Sequence, residues 1–471
     1  MTATRASSAR STSGLTLALL ALGHLVISLD FTIVFVALPE IAAEVGFTAH
    51  SLQWVVTAYV VFYGGFLLLG GRMSDLLGQR RMFVTGMVLY GLSSLVGGFA
   101  TTPEVLIGAR VVQGLGGALL FPAVLSLVNS GFPEGRERNR ALTVWAAAGA
   151  GGLSLGALLG GALTGAFGWA AVFFVNVPLA VVGVAAAFVL LDKDERRERA
   201  GGFDLAGALV GTSGTTLLVF AVAQGPELGW SSTPVVFSGL LAVVLLAGFL
   251  VVETRSRTPL MPLRLFRNRH LSAAMAVILV FGFSVQNAPY FLTLYFQDVL
   301  GFSAVETGLA FLAPTLSITL GNIVSDRLVG GWGTRTTLLV GIVLNAAGAG
   351  LLALGLTVDG SLWTVLPGTV VLGVGMGVTY TSMWIAASTG VDDREQGAAS
   401  GMASTALQLG AAAGLAVLVG VYATGLDGLA GEPLRVASAE GMRVALCATA
   451  AFALAGLAAA FALPRRADRA A

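Results

Sequence analysis

Asp30 is the residue whose position in this sequence most directly suggests chemistry. It lies near the start of Leu29–Pro39, inside the first long apolar run of the chain. A carboxylate at bilayer depth costs at least ~2.5 kcal/mol, so an acid in such a run usually has a function and a partner. A lone buried carboxylate can take up and release a proton. The sequence therefore directs attention to a basic residue at the same depth.

Arg110 is the basic residue that meets this requirement. The first helix is predicted to run outward from about residue 15 to 39, so Asp30 lies roughly 13 Å below its outer end. A later helix is predicted to run inward from about residue 104, so Arg110 lies roughly 9 Å below the same surface. We hypothesise that Asp30 alternates between an ion pair with Arg110 and a protonated state; a static structural ion pair is the alternative.

The elements that position these residues are predicted to be transmembrane helices. Of 471 residues, 56% are hydrophobic and 11% are charged, whereas an ordinary soluble protein is about a quarter charged. The predicted fold is an all-α integral membrane protein. Allowing about 20 apolar residues per crossing, we predict fourteen helices that start near residues 14, 50, 82, 104, 141, 169, 204, 234, 271, 303, 336, 361, 397 and 441.

The basic residues set the predicted orientation. Loops after even-numbered helices contain arginine, as at Arg72, whereas loops after odd-numbered helices contain acids and, apart from Arg435, no lysine or arginine. Basic loops face the cytoplasm, and an even number of crossings places both termini on one side. We therefore expect a multi-pass protein of the cytoplasmic (inner) membrane with both termini in the cytoplasm.

A weak internal repeat predicts the domain organisation. Leu69–Asp75 ends the second predicted helix and Leu320–Asp326 ends the tenth, and both begin with Leu-Gly and end with Ser-Asp. The offset of eight helices predicts two six-helix halves with a two-helix insert, an arrangement typical of transporters with a site between repeats. The predicted segments are a cytoplasmic tail (1–13), an N-terminal half (14–191), a cytoplasmic linker (192–203), the inserted helices (204–252), a cytoplasmic loop (253–270), a C-terminal half (271–463) and a second tail (464–471).

The turn between the second and third predicted helices carries a recognisable motif. Its glycines permit close backbone approach, and its acid can pair with an arginine or a helix N-terminus. The turn resembles the G-x-x-x-D-R/K-x-G-R-R/K loop of the major facilitator superfamily, although Leu76 and Gln79 replace two basic residues. The resemblance implies a gate that latches two halves of the protein on the cytoplasmic side. The matching residues are Gly71, Asp75, Gly78, Arg80 and Arg81.

Further stretches resemble the fourteen-helix drug:proton antiporter branch of that family. Leu29–Pro39 resembles the first-helix signature L-D-x-T-I-V-N-V-A-L-P, with Phe35 in place of asparagine. The stretch that begins at Arg110 is similar to the R-x-x-Q-G motif of the fourth helix and includes Gln113 and Gly114.

A third stretch resembles the antiporter motif G-x-x-x-G-P-x-x-G-G of the fifth helix. Ala157 replaces its proline, which removes a residue that bends helices. The glycines at four-residue spacing still predict one smooth face for close helix packing. The glycines of this motif are Gly152, Gly156, Gly160 and Gly161.

Aromatic and flexible side chains in both halves are candidates for the wall of a substrate cavity, with lipid-facing or core positions as the alternative. Such a surface accepts bulky, flat or amphipathic organic molecules. Asn176 is an uncharged group that lines the cavity or bonds across helices. The candidates are Phe31, Trp54, Tyr59, Tyr63, Phe121 and Trp145 in the first half and Asn287, Tyr290, Tyr380, Met383 and Trp384 in the second.

These patterns together predict a secondary active transporter and not an enzyme. No cluster of His, Cys or acidic residues gathers at one predicted depth, and the pattern G-x-x-x-x-G-K-[ST] is absent, so we expect no metal centre, other cofactor or ATP hydrolysis. Since no second acid is predicted near mid-membrane, Asp30 is expected to be the principal titrating site, which favours neutral or monocationic substrates.

The resemblance implies a proton-coupled antiporter that exports hydrophobic drugs, antibiotics or natural products by alternating access. Its energy source would be the proton gradient, and its partners would be protons, membrane lipids and an amphipathic small molecule, with no nucleic acid. We expect a monomer. A dedicated lipid or metabolite exporter of the same fold is one alternative, and a non-transporting membrane sensor or scaffold is another.

Overall fold

The computed structural model describes residues 2–47, 49–194, 204–256, 259–424, 426 and 429–464. These residues form helices and turns and contain no strand. The chain divides into two compact units. Unit 1 comprises Met1–Leu217, Ala242–Leu263 and Val391–Met402, and unit 2 comprises Leu218–Leu241, Arg264–Gly390 and Ala403–Ala471.

The helices of the predicted N-terminal half all belong to unit 1. The first of them extends to Val45, past the predicted end at residue 39. Their bounds are α1 Thr2–Val45, α2 Ala49–Leu52, α3 Trp54–Leu77, α4 Gln79–Gly98, α5 Pro103–Gly131, α6 Arg136–Phe167, α7 Ala171–Phe174 and α8 Asn176–Leu190.

Small residues explain the contact between α6 and α1. α1 packs along α6, and α5 packs against both α3 and α4. Methyl groups at Gly152 and Gly160 of α6 would lie 2.7 Å and 2.9 Å from the carbonyl oxygens of Leu25 and Ile33 on α1, and one at Gly156 would overlap Leu29. The face without side chains on α6 is thus the face that packs on α1.

The predicted insert corresponds to α9 (Leu205–Leu228) and α10 (Thr233–Arg255), followed by a 3-10 turn at Leu263–Arg267. The part of α9 that belongs to unit 1 is bonded to α3, because Thr215 Oγ1 donates to the carbonyl of Gly65 at 2.8 Å. The predicted segment boundaries stay predictions, and residues 195–203 and 465–471 of the predicted linker and C-terminal tail lie outside the described residues.

The predicted C-terminal half contains the remaining helices, and its first crossing is segmented. The Asn287 amide donates to the carbonyls of Gly282 and Phe283, which are left free where α11 ends, and to the carbonyl of Ala411 on α17, at 3.2–3.3 Å. The bounds are α11 Arg269–Phe283, a 3-10 turn Val285–Asn287, α12 Ala288–Leu294, a π-helix Tyr295–Val299, α13 Ala304–Ala310, α14 Leu312–Trp332, α15 Thr334–Gly355, α16 Leu362–Ser388, α17 Gln396–Ala423 and α18 Glu432–Phe461.

Thirteen helical segments of the described chain are long and apolar enough to cross a membrane. Each corresponds to one of the fourteen predicted crossings. The predicted crossing without a counterpart is α4, which begins with Gln79, Arg80 and Arg81 and is rich in glycine and serine. Those residues lower its hydropathy, although it is 20 residues long.

Candidate functional site

Asp30 is fully buried on α1 and accepts hydrogen bonds from two other helices. Its Oδ2 accepts from Arg110 Nη1 at 2.7 Å. Its Oδ1 accepts from Gln113 Nε2 at 2.7 Å and from Asn176 Nδ2 at 3.0 Å. Arg110 and Gln113 lie on α5 and Asn176 begins α8, so the expected pairing of Asp30 with Arg110 is part of a larger cluster.

Arg110 is held on all sides of its guanidinium group. Its Nε donates to the carbonyl of Val55 at 2.8 Å, and its Nη1 also donates to Gln113 Oε1 at 2.7 Å. The ring of Tyr59 lies 4.4 Å from its Cζ atom, in the range where an aromatic face attracts a cation. The guanidinium is 2% exposed, so the positive charge is confined to this cluster.

Gln113 joins the two charged groups. Its Nε2 donates to Ser94 Oγ on α4 at 3.0 Å in addition to Asp30. We use the name Asp30 cluster for Asp30, Ser94, Arg110, Gln113 and Asn176. Sequence reasoning singled out Gln113 only as a motif match and missed Ser94, for which the only signal was a serine pair within an otherwise apolar helix.

The buried Asp30 carboxylate is surrounded by one opposite charge and three hydrogen-bond donors. Burial disfavours a charged carboxyl group, whereas an opposite charge at contact distance and three donors favour it. Tyr59 and Tyr90 also interact electrostatically with Asp30, and their hydroxyl oxygens are 3.3 Å apart.

The gate motif places Asp75 at the start of α17. Oδ1 and Oδ2 of this buried carboxylate accept from the backbone N–H groups of Gly397 and Ala398 at 2.8 Å and 2.7 Å. All three residues belong to unit 1. A methyl group at Gly71 would overlap the Gly397 carbonyl, so the glycine allows the close approach that these bonds require. The carboxylate also complements the positive end of the α17 dipole.

The other end of the motif is bound by Asp194, a residue that sequence reasoning did not select. Its two carboxylate oxygens accept from the backbone N–H groups of Arg80 and Arg81 at 3.1 Å and 3.0 Å, in the first turn of α4. Gly78 has φ +108°, and a methyl group there would overlap the Asp194 carboxylate. Gly78 is therefore required both by its backbone conformation and by this contact.

Gln79, which departs from the family motif, makes neutral contacts with α5. Its Nε2 donates to Ser126 Oγ at 2.6 Å, and Ser130 Oγ donates to its Oε1 at 2.7 Å. The side chain of Arg80 turns instead toward α8, where it donates to the carbonyl of Phe188 at 3.0 Å and covers the Phe188 ring. This end of the gate motif is thus bonded to α5 and α8, and Arg81 Nε lies 4.0 Å from Asp194 Oδ2 just after α8.

Five of the six cavity candidates in unit 1 form a continuous aromatic row. Successive ring centroids are 6.2, 5.6, 6.3 and 5.5 Å apart. Only Phe31 at one end is exposed, at 36%, whereas the rest of the row is buried. Trp54 is half-buried at the start of α3. The row comprises Phe31, Tyr59, Tyr63, Phe121 and Trp145.

The five candidates in unit 2 are more dispersed. Tyr290 is 41% exposed, and Met383 and Trp384 are buried on α16 beside Tyr380, whose ring is 6.0 Å from that of Trp384. A small cavity between α11, α15, α16 and α18 is lined by other residues, including Ser284, Asn345 and Thr379. The predicted residues of unit 2 therefore do not surround this cavity.

Comparison with known proteins gives a consistent assignment. A family model described as Major Facilitator Superfamily matches residues 20–415. The chain is 38% identical over 447 residues to the cephamycin export protein CmcT of Amycolatopsis lactamdurans, covering 92% of this chain and 90% of that protein. It is 38% identical over 399 residues to the puromycin resistance protein pur8 of Streptomyces alboniger, covering 84% of this chain and 79% of that protein.

Solved structures share the fold at low sequence identity. The human organic anion transporter MFSD10 matches with a TM-score of 0.68 at 17% identity, covering 95% of this chain and 99% of that one. A double tryptophan variant of XylE matches with a TM-score of 0.69 at 12% identity, covering 97% of this chain and 96% of that one. These matches concern the helical fold alone.

Proposed function

This chain belongs to the major facilitator superfamily, and from that premise we propose that it exports antibiotics or other hydrophobic small molecules in exchange for protons. It is a multi-pass membrane transporter with the all-helical fold of that family, and it is not an enzyme. Drug efflux is supported by the names of its relatives, which include export and resistance proteins for cephamycin, puromycin, methylenomycin A and lincomycin.

The observation that carries the proton coupling is the buried pair of Asp30 and Arg110, 2.7 Å apart. As a pair the two groups have no net charge. When Asp30 takes up a proton, Arg110 keeps its contacts to Val55, Gln113 and Tyr59 and becomes an unbalanced buried cation. Such a charge is costly in a low-dielectric site, so protonation favours a rearrangement. We propose that this rearrangement is the step that couples the proton to alternating access.

The aromatic row of unit 1 supports the substrate class. Tyr59 contacts the guanidinium of Arg110 and also stacks on Tyr63 within the row. A flat or amphipathic molecule that packs against Phe31, the exposed end of the row, would therefore be connected to the Asp30 cluster through Tyr59. Aromatic surfaces of this kind bind bulky apolar molecules with broad specificity.

We further propose that α4 is the third of fourteen crossings. The protein would lie in the cytoplasmic membrane, with both termini in the cytoplasm. The short turn at Gly78 and the anchored arginines of α4 support a cytoplasmic position for the gate motif. Asp75 would hold this gate closed through its bonds to the first turn of α17. We propose that the protein works as a monomer and that its partners are protons, lipids and one amphipathic substrate.

A dedicated exporter of one metabolite is the second candidate. It is favoured by the single antibiotic in the name of each of two relatives, cephamycin and puromycin. A resistance profile restricted to one compound would support this alternative. A profile across chemically unrelated compounds would support multidrug export.

Efflux of ethidium from energised cells, with and without a proton uncoupler, tests the proposed function. We expect cells that express the wild-type chain to expel ethidium and to stop when the uncoupler is added. Efflux that continues in the presence of the uncoupler would contradict proton coupling. The absence of efflux across a broad panel of antibiotics and dyes would contradict drug export.

A further inference from the structure

We propose that Asn176 hydrogen-bonds both protonation states of Asp30, donating to the carboxylate through Nδ2 and, after its amide turns, accepting from the carboxylic acid through Oδ1. The inference rests on the proposed function, because it makes Asn176 a positioning residue of the proton site. Asn176 is fully buried, and its Nδ2 lies 3.0 Å from Asp30 Oδ1. Its Oδ1 is equally buried and has no hydrogen-bond partner among the described residues.

An unpartnered amide oxygen inside a cluster of satisfied groups needs an explanation, because burying such an acceptor carries a cost. The carboxylate of Asp30 has only acceptors, so in this state it can use the donor end of the Asn176 amide and not the acceptor end. The unused Oδ1 atom is therefore a free acceptor beside a group that becomes a donor when it is protonated.

Gln113 cannot serve the same purpose, although it is the other amide at Asp30. Its Oε1 accepts from Arg110 at 2.7 Å, and its Nε2 donates to both Asp30 and Ser94. Turning this amide would place N–H donors against the guanidinium and break the bond to Ser94. Turning the Asn176 amide breaks only the bond to Asp30 that protonation has already made unfavourable.

Protonation of Asp30 then proceeds with the following changes in the cluster. Asp30 Oδ1 takes a proton from the aqueous phase, and its charge changes from −1 to zero. Its new O–H would meet the Nδ2–H of Asn176 as two opposed donors. Rotation of the amide by about half a turn about its last side-chain bond, a broad torsion, gives this O–H an acceptor. Deprotonation reverses the rotation.

The neighbouring helices offer the acid no equivalent partner. Asp30 interacts with the charged or titratable groups of Arg110 from α5, Tyr59 from α3 and Tyr90 from α4. The face of α6 that packs on α1 presents glycines at 152, 156 and 160. From α8 comes Asn176, which begins that helix after a break at Val175 and two residues before Pro178. Pro178 has no N–H to donate to the Phe174 carbonyl, which loosens this turn.

Infrared difference spectra of the purified full-length chain in lipid nanodiscs, recorded across pH, test the proposal directly. The acid C=O band that is lost in Asp30→Asn identifies protonated Asp30. Asparagine labelled with ¹³C at the side-chain carbonyl identifies amide bands, and Asn176→Ser identifies the band that belongs to Asn176. We expect this band to shift to lower frequency together with the appearance of the Asp30 acid band. An Asn176 band that stays unchanged while Asp30 titrates would overturn the proposal.

The midpoint of the Asp30 titration provides a second readout. Asn176→Leu removes a donor from the carboxylate and an acceptor from the acid, so we expect its midpoint to move by less than about half a pH unit. If Asn176 were only a donor to the carboxylate, the same change would raise the midpoint by about one unit or more. Asn176→Ser keeps a hydroxyl that can donate and accept, and we expect the wild-type midpoint.

Ethidium efflux by the same variants separates this inference from the proposed function. We expect Asn176→Leu to slow uncoupler-sensitive efflux about tenfold, the cost of about one unmade hydrogen bond, and Asn176→Ser to restore it to within about threefold. Efflux by Asp30→Asn that remains uncoupler-sensitive would contradict the proposed function. Efflux that depends on Asp30, combined with an unchanged Asn176 band, would contradict only the role of Asn176.

Discussion

The two units differ in the buried polar side chains that they contain: unit 1 buries charged groups, and unit 2 buries neutral ones. Among the described residues, all buried charged side chains lie in unit 1, namely Asp30, Asp75, Arg110, Arg138 and Glu253. The buried polar bonds of unit 2 are neutral: Asn345 donates to Thr379 at 2.9 Å, and Thr381 donates to Asn322 at 3.0 Å.

The internal repeat makes this contrast specific. Asn345 lies 19 residues after the repeat residue Asp326, as Ser94 of the Asp30 cluster lies 19 residues after Asp75. In unit 1 the polar group at this position bonds to Gln113 and so to an ion pair, whereas in unit 2 it bonds to a threonine. The asparagine and threonine side chains of these neutral bonds do not change protonation state near neutral pH. We therefore propose that proton coupling depends on unit 1 and that the polar groups of unit 2 have a structural role.

Removing the cation of unit 1 is expected to have the largest effect. Arg110→Ala leaves the Asp30 carboxylate buried without its counter-charge, and breaking such a pair costs about 3–5 kcal/mol. We expect a large drop in the thermal unfolding temperature of the purified protein and complete loss of ethidium efflux.

The matched control is the neutral double variant Asp30→Asn with Arg110→Gln. It leaves no unpaired charge, so its unfolding temperature should exceed that of Arg110→Ala while efflux stays absent. If both variants unfolded at the same temperature, the ion pair would not be the reason for the destabilisation.

Disrupting the close packing between α6 and α1 is expected to have the second-largest effect. A methyl group at Gly156 would overlap the Leu29 carbonyl and Thr32, next to Asp30, whereas one at Gly151 meets no atom within 4 Å. We expect Gly156→Ala to lower stability by about 1–3 kcal/mol, the usual cost of overpacking, and to reduce efflux. Gly151→Ala is the control and should behave as wild type. Equal behaviour of the two variants, measured by thermal unfolding and efflux, would contradict this helix contact.

The gate contact is expected to matter for transport more than for stability. Asp75→Asn keeps the size of the side chain but removes the charge that complements the start of α17, an effect of about 0.3–2 kcal/mol. We expect ethidium efflux to fall severalfold with little change in unfolding temperature. Asp194→Asn is the control, because Asp194 binds the first turn of α4 and not α17. A larger loss of efflux in that control would contradict the role of Asp75 as the gate contact.

The smallest effect is expected in unit 2. Asn345→Leu removes one neutral hydrogen bond to Thr379 and should cost about 1 kcal/mol of stability. Because neither group titrates, the pH dependence of ethidium efflux should keep its wild-type midpoint. A shifted midpoint would show that unit 2 contributes to coupling, and the contrast between the units would fail.

The sequence indicated how far along its helix each buried residue lies. It did not indicate how each helix is rotated about its own axis. Asp30 and Arg110 could be matched because helical rise per residue fixes how far each lies from a helix end. Ser94 and Asn176 join the same cluster because α4 and α8 present those particular faces to α1 and α5. That orientation depends on packing against several neighbours at once, so apolar runs that lack amphipathic periodicity do not reveal it.

Contacts made by residues in loops and at helix ends also could not be predicted from the sequence. Asp75 could be expected at a helix N-terminus from the motif alone, but its partner α17 is more than 300 residues away in sequence. Asp194 follows a helix end in a charged segment, where many acids serve only as solvated surface groups. Its bonds to the first turn of α4 depend on where α8 ends relative to Gly78, which no local pattern specifies.

Proton release on substrate binding is the most direct test of proton coupling through Asp30. Purified wild-type protein in weakly buffered detergent, at a pH where Asp30 is protonated, would be mixed with ethidium while a pH indicator records free protons. We expect release of about one proton per bound ethidium, no release from Asp30→Asn, and wild-type release from Asn345→Leu. Equal release from Asp30→Asn and the wild-type protein would contradict the assignment of proton coupling to Asp30.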